Sequence, residues 1–207
     1  MRNERVLREQ AGDPSSGQAE RLPSALAALL DRESVALVEI DAFAVATGPG
    51  SFTGLRVGIA TMQGLAMATG KPLIGVSAFD ALALSGGHER VATWIDAWRG
   101  EVFAAVYEDG CEVGAPTVAR PEDLLARLSG QATRFTGDGA ARHRELIRAT
   151  LGAAARFTDP TAPLLAGIIA TLAGDAFRAG QRPPPHAIRP IYVRRSAEEL
   201  VRDAGRA

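Results

Sequence analysis

The run Asp41 to Thr47 (DAFAVAT) passes directly into Gly48-Pro49-Gly50-Ser51-Phe52-Thr53-Gly54-Leu55-Arg56-Val57-Gly58, and this junction decides the fold. The first part is an almost unbroken apolar stretch of strand length, as expected of a strand covered on both faces. The second part turns through glycines into a helix that runs to about Ala68. Such a strand–glycine–helix junction can hold an anion, because unpaired N–H groups and the helix dipole point at one spot. The specific fingerprints fail, however. No Lys-Ser/Thr pair follows, and the glycines are not spaced G-x-G-x-x-G. Ser51 is not set in G-x-S-x-G either, so it does not read as a nucleophile. Ser51 or Thr53 reads as a helix N-cap.

At 100° per residue, Gly54, Gly58, Thr61 and Leu65 share one face of this helix, and Leu55, Ile59, Met62 and Ala66 share another. Two such faces predict burial on two sides. Each interior glycine costs about 0.5–1 kcal/mol relative to alanine, so Gly54, Gly58 and Gly64 call for a close-lying backbone. That backbone is either the chain's own earlier helix or a foreign one; periodicity leaves both open.

Moving outward, Leu22, Ala25, Leu26, Leu29 and Leu30 fall at helical spacing. Arg5 to Gln10 alternates enough to predict an edge strand, and residues 12–17 carry turn chemistry. Leu73 to Val76 reads as a buried strand and Ala78 to Leu84 as a short helix, so this part is an α/β layer with parallel pairing. After Gly86-Gly87 the pattern turns β-rich at Val91 to Asp96 and Glu101 to Tyr107, with a hairpin signal at Asp109-Gly110 before Cys111 to Val113. Helices over Glu122 to Leu128, His143 to Thr150 and Pro163 to Ala179, a strand over Thr133 to Thr136 and an extended Pro183-Pro184-Pro185 connector complete it. No short-period repeat is visible. We expect two α/β lobes, residues 1–86 and 87–207.

The 207 residues carry a net charge of −1 and are 46% hydrophobic, which suits a core needing no staple. Cys111 is the only cysteine, cannot form an internal bridge and reads as a half-buried residue in a reducing compartment. Arg189, Arg194 and Arg195 are the one concentration of positive charge, too small for a primary RNA-binding face. The MRNERVLREQ start is not a signal peptide, and no apolar stretch spans a bilayer, so a cytoplasmic protein without membrane contact is expected. His88, His143 and His186 lack ligand spacing, and no metal site is expected. Asp96 and Glu101 are the carboxylates placed beside buried-looking strands.

The string GPGSFTGLRVGIATMQGLA (Gly48 to Ala66) closely resembles the signature of the TsaB family, and IDAWRGEVFAAVY (Ile95 to Tyr107), TGDGA (Thr136 to Ala140) and RPIYVRRS (Arg189 to Ser196) agree in order. The resemblance runs from about Arg5 to Arg195. It implies a two-lobed actin/Hsp70-like ATPase fold with ribonuclease H-like halves. It implies a non-catalytic subunit of tRNA threonylcarbamoyladenosine formation that binds and activates the catalytic TsaD homologue, with the TsaE ATPase joining and tRNA reached only through the complex. A homodimer through the same surface is also implied. The contact would use Leu22, Leu26, Leu29, Gly54, Gly58, Thr61 and Leu65. No resident cofactor is implied; ATP or ADP would sit at the interface with the catalytic subunit, and Gly50, Ser51, Gly137, Asp138 and Gly139 would line a nucleotide cleft. Trp98 stands where the family carries arginine, with Arg99 next.

The family begins with two further strands before the segment matching Arg5 to Gln10, so the first lobe is expected to lack its first two strands and the natural start to lie upstream of Met1. The competing reading is an enzyme of the same fold, an ATP-dependent kinase or a glycoprotease, which would need a catalytic constellation that the sequence does not display.

Overall fold

The structure, a computed structural model, describes residues 1–12, 18–128 and 130–193. Arg194, Arg195 and the turn residues Asp13 to Gly17 lie outside them. The chain runs α1 (Gln18–Arg32), β1 (Phe43–Gly48), α2 (Phe52–Thr69), β2 (Leu73–Ser77) and α3 (Ala78–Gly86). It continues β3 (Val91–Asp96), β4 (Val102–Glu108), β5 (Cys111–Glu112), β6 (Thr117–Ala119) and α4 (Pro121–Leu128). Then come β7 (Thr133–Thr136), α5 (Asp138–Arg142), α6 (Arg144–Leu151), β8 (Ala155–Phe157) and α7 (Ala166–Arg178).

β1 and β2 pair in parallel, Phe43 opposite Leu73 and Ala46 opposite Val76. Successive side chains of a strand point to opposite faces. Phe43, Val45 and Leu73 therefore pack on Ile59 and Ala66 of α2, while Ile74 and Val76 pack with Ile169 and Ala173 of α7. The apolar run of β1 is thus covered on both sides.

The second sheet has the order β5-β4-β3-β7-β8, with β6 on the outer edge of β4. β3 is antiparallel to β4 and parallel to β7. With β5 and β6, which both pair with the outer edge of β4, taken together as one strand, the order within this half is third, second, first, fourth, fifth, that of a ribonuclease H-like half. One face packs Val91, Ile95 and Phe103 on Phe79 and Leu82 of α3. The other packs Trp94 and Phe135, ring centroids 5.4 Å apart and edge to face, on Leu125 and Ile147. The last helix of each half thus crosses the joint. α3 covers the second sheet, and α7 covers the first.

The first half repeats only the fourth and fifth strands of this scheme among the described residues. That explains one correction. Arg5 to Gln10 forms no strand; the isolated bridge Arg2–Arg5 is the only pairing near it. The neighbour against which such a third strand would pair is not among the described residues, and alternation alone cannot supply a ladder. The segment lies along α7 instead. The Glu9 carboxylate accepts the Gly167 N–H at 2.7 Å in the first turn of α7, and Arg178 pairs with Glu4 at 3.4 Å. Arg8 pairs with Glu33.

Smaller departures are local. The helix expected over His143 to Thr150 starts earlier and breaks into α5 and α6 at His143, and the proline connector makes a 3-10 turn over Pro185–Ala187.

Candidate functional site

α2 presents three sides. Ile59 and Ala66 are its buried residues and face the sheet. Thr61 and Leu65 turn towards α1, where a hollow of about 330 Å³ is lined by Leu26, Leu30, Val35, Leu37, Thr61 and Leu65. The third side holds Phe52, Arg56, Ala60, Gly64 and Met67, all exposed, Met67 at 69%. Gly58 lies on the same side as Thr61 and Leu65. A methyl group added at Gly58 or Gly64 would meet nothing within 4 Å. Leu22, Leu26 and Leu29 of α1 are half-buried, as are Gly54, Gly58, Thr61 and Leu65. The structure therefore brings Leu26, Thr61 and Leu65 together inside the chain, while neighbouring backbone does not fill the space beside Gly58.

The N-terminus of α2 is capped locally. The Ser51 hydroxyl accepts the Gly54 N–H at 3.3 Å, as expected of an N-cap. Phe52 and Tyr192 stack at 5.4 Å, the Arg56 guanidinium lies 3.8 Å over the Phe52 ring, and Arg56 Nε donates to the Tyr192 hydroxyl at 3.0 Å. The chain's last described segment thus returns to α2 as a strap. Gln63 Nε2 donates to the carbonyls of Pro185 (2.8 Å) and Ile188 (3.1 Å), and the Ile191 N–H donates to the Thr47 carbonyl at 2.7 Å. Ile188 seats in the notch left by Gly75 of β2, where a Cβ would stand 3.2 Å from it. No sequence pattern signals this contact, because helix and strap lie more than a hundred residues apart.

The second glycine loop follows β7. Gly137 has φ +106°, and a side chain there would overlap the Trp94 carbonyl oxygen; one at Gly139 would stand 3.0 Å from the same atom. Both glycines are accounted for by close approach to the backbone of β3. The Asp138 carboxylate accepts the N–H groups of Asp96 (3.0 Å) and Gly139 (2.9 Å), so it ties β3 to α5. A Cβ added at Gly50 would meet only the Leu55 side chain, at 3.9 Å, among the described residues. Gly50 and Ser51 lie at the end of β1, and Gly137, Asp138 and Gly139 at the end of β7.

The two loops match each other. Thr47-Gly48-Pro49-Gly50 and Thr136-Gly137-Asp138-Gly139 both read Thr-Gly-x-Gly, and Gly48 and Gly137 share φ +106°. Each threonine hydroxyl donates to a backbone carbonyl beyond its strand, Thr47 to Val76 at 3.1 Å and Thr136 to Thr161 at 3.3 Å. This long-period repeat between the halves escapes a search for short periods, and the four-residue string is the signal that could have revealed it.

Of the remaining candidates, His88 and His186 are exposed, and His143 is partly buried with Nε2 unbonded. Cys111 is exposed and free. Among the described residues no group of three or more His, Cys, Asp or Glu could hold a metal ion, and no helix is long and apolar enough to cross a membrane. Asp96 holds Arg142 at 3.4 Å and accepts the Trp98 N–H at 3.0 Å.

Known proteins resemble this chain throughout. A family model described as TsaD, tRNA N6-adenosine threonylcarbamoyltransferase, matches residues 14–167. An uncharacterized protein of Mycobacterium leprae (strain TN) is 37% identical over 169 residues, 81% of this chain but 43% of its own length. The Escherichia coli (strain K12) tRNA threonylcarbamoyladenosine biosynthesis protein TsaB is 40% identical over 115 residues, half of each chain. This chain therefore spans half or less of those two relatives. The crystal structure of YeaZ from Pseudomonas aeruginosa superposes with a TM-score of 0.67 at 31% identity, covering 84% of this chain and 85% of that one. The fold is accordingly the two-lobed actin-like ATPase fold, with a first lobe reduced to two strands among the described residues, and the chain belongs to the TsaB/YeaZ family.

Proposed function

We propose that this chain serves threonylcarbamoyladenosine formation on tRNA as an accessory subunit, docking a TsaD-type catalytic partner on the α1–α2 surface and carrying no chemistry of its own. The observation that supports this most is the open space at Gly58, on the face of α2 shared with Thr61 and Leu65. Glycine in a helix interior is unfavourable, and here none of the described residues occupies the room that the missing side chain leaves. A partner helix lying against that side would use it.

A second copy of the chain could use this surface when the partner is absent, and the TsaE ATPase and any ATP or ADP would join at the assembled interface. The test is co-purification of the chain with its TsaD homologue. Gly58→Leu should abolish capture while the melting temperature of the isolated variant stays within a few degrees of the parent. Undiminished capture by Gly58→Leu would move the contact elsewhere, and no capture by the parent chain would end the accessory-subunit reading.

A further inference from the structure

The hollow between α1 and α2 joins two chemistries. Its walls are mostly aliphatic, with Leu26, Leu30, Leu37 and Leu65 among them, and Asp31 is the one charged residue lining it among the described residues. Asp31 is exposed and stands in the last turn of α1. The helix dipole disfavours a carboxylate at that end and favours a cation. The next acid along, Glu33, is paired with Arg8, whereas Asp31 has no ion-pair partner among the described residues. Thr61 is the second polar group on the wall. The helical threonines Thr69, Thr150 and Thr171 each donate to the carbonyl four residues back, at 2.7, 2.9 and 3.1 Å. The Thr61 hydroxyl makes no such bond among the described residues, so it is free to meet an occupant.

We propose that this hollow receives a basic side chain, arginine or lysine, from the docked partner helix, its head meeting Asp31 and its stem lying on the leucines. The inference rests on the docking surface proposed above and specifies what that surface takes. An aliphatic side chain would suit the walls but would strip water from Asp31 and leave it unpaired, which is unfavourable. A short polar side chain would satisfy Asp31 and leave the aliphatic walls in water. Arginine and lysine combine a stem of about three to four methylenes with a charged head. Position agrees with chemistry. Gly58 and Thr61 lie within one turn on the same face of α2, so a helix passing close over Gly58 can direct a side chain into the hollow. Arg32, the neighbour of Asp31, is exposed and does not line the hollow, which leaves its wall with a single negative charge.

Two probes that differ in charge test the hollow itself. The full chain is titrated with n-butylguanidinium and with n-butylurea, and the amide NMR shifts of Thr61 and Leu65 are followed. The guanidinium should bind about fivefold more tightly, and the preference should shrink at high salt and vanish in Asp31→Asn. Equal binding of the two probes, a preference that survives Asp31→Asn, or shifts at neither residue would overturn the proposal. Capture by the TsaD homologue tests the partner. Asp31→Asn should weaken capture about fivefold, and Asp31→Arg, which sets like charges opposite each other, should abolish it. Changing the basic residue of the partner's docking helix to glutamate should then restore capture by Asp31→Arg. Because Asp31 opposes the dipole of its own helix, Asp31→Asn should leave the melting temperature of the isolated chain equal or slightly raised, which identifies the loss as local. Capture lost in Gly58→Leu but kept in Asp31→Arg would end this inference and leave the docking reading standing. No capture by the parent chain would end the docking reading, while an intact guanidinium preference would still assign the hollow to a basic side chain, from a different partner.

Discussion

Gly58 and Gly137 look alike in the sequence and behave oppositely in the structure. At Gly137 a side chain would be driven into the Trp94 carbonyl, and φ is +106°, so Gly137→Ala should cost at least about 3 kcal/mol and lower the melting temperature severely. At Gly58 there is open space on a helix, so Gly58→Ala should raise the stability of the isolated chain by about 0.5–1 kcal/mol. Denaturant unfolding of the two variants side by side checks both signs. The sequence flagged both glycines but could not separate them, because the difference lies in which backbone passes nearby. Tyr107 is a residue that sequence reasoning left as part of a strand. Burial, then the 2.6 Å bond from its hydroxyl to Asp80, pushes its phenol well above the usual tyrosine range. The neutral phenol is the form that the fold favours. Its stabilisation is therefore complete below about pH 10 and is lost as pH climbs further towards the raised folded value. Alkaline titration of the phenolate absorbance should show one tyrosine that resists ionisation until the chain unfolds, and Tyr107→Phe should remove that component at a cost of about 1 kcal/mol.

Elements were legible where pattern and partner agreed. β1, α2, β2 and β3 each carry enough residues for a period to show, and the structure has them within a few residues of the expected bounds. β6 and β8 have three residues each, too few for any period, and no expectation covered them. Arg5 to Gln10 failed for the opposite reason, an alternation without a neighbouring strand to bond. The strap over α2 was equally invisible, since an extended proline-rich segment states no destination. Its anchor gives a prediction. Gly75→Ala would place a methyl 2.6 Å from the Thr47 side chain and 3.2 Å from Ile188, so the strap should lift from β2. Limited proteolysis should then cut within residues 183–190 several times faster than in the parent. Gln63→Ala, which leaves the Pro185 and Ile188 carbonyls without their shared donor, should do the same more weakly.

At the scale of the molecule, the sequence yielded two α/β halves but not how they hold each other. That arrangement follows from α3 and α7, each of which covers the sheet of the other half. Local periodicity shows that a helix has an apolar side, never which sheet will receive it. The crossing has a consequence for biosynthesis. The sheet of β1 and β2 emerges from the ribosome roughly 90 residues before α7, an interval of about 5–20 s at ordinary elongation rates, and until then Ile74 and Val76 lack Ile169 and Ala173 on that side, with only Ala81 of α3 beside them. The nascent first half must wait, unfinished and adhesive, until α7 has been made, so chaperone demand should fall on the early chain and vanish once α7 is out.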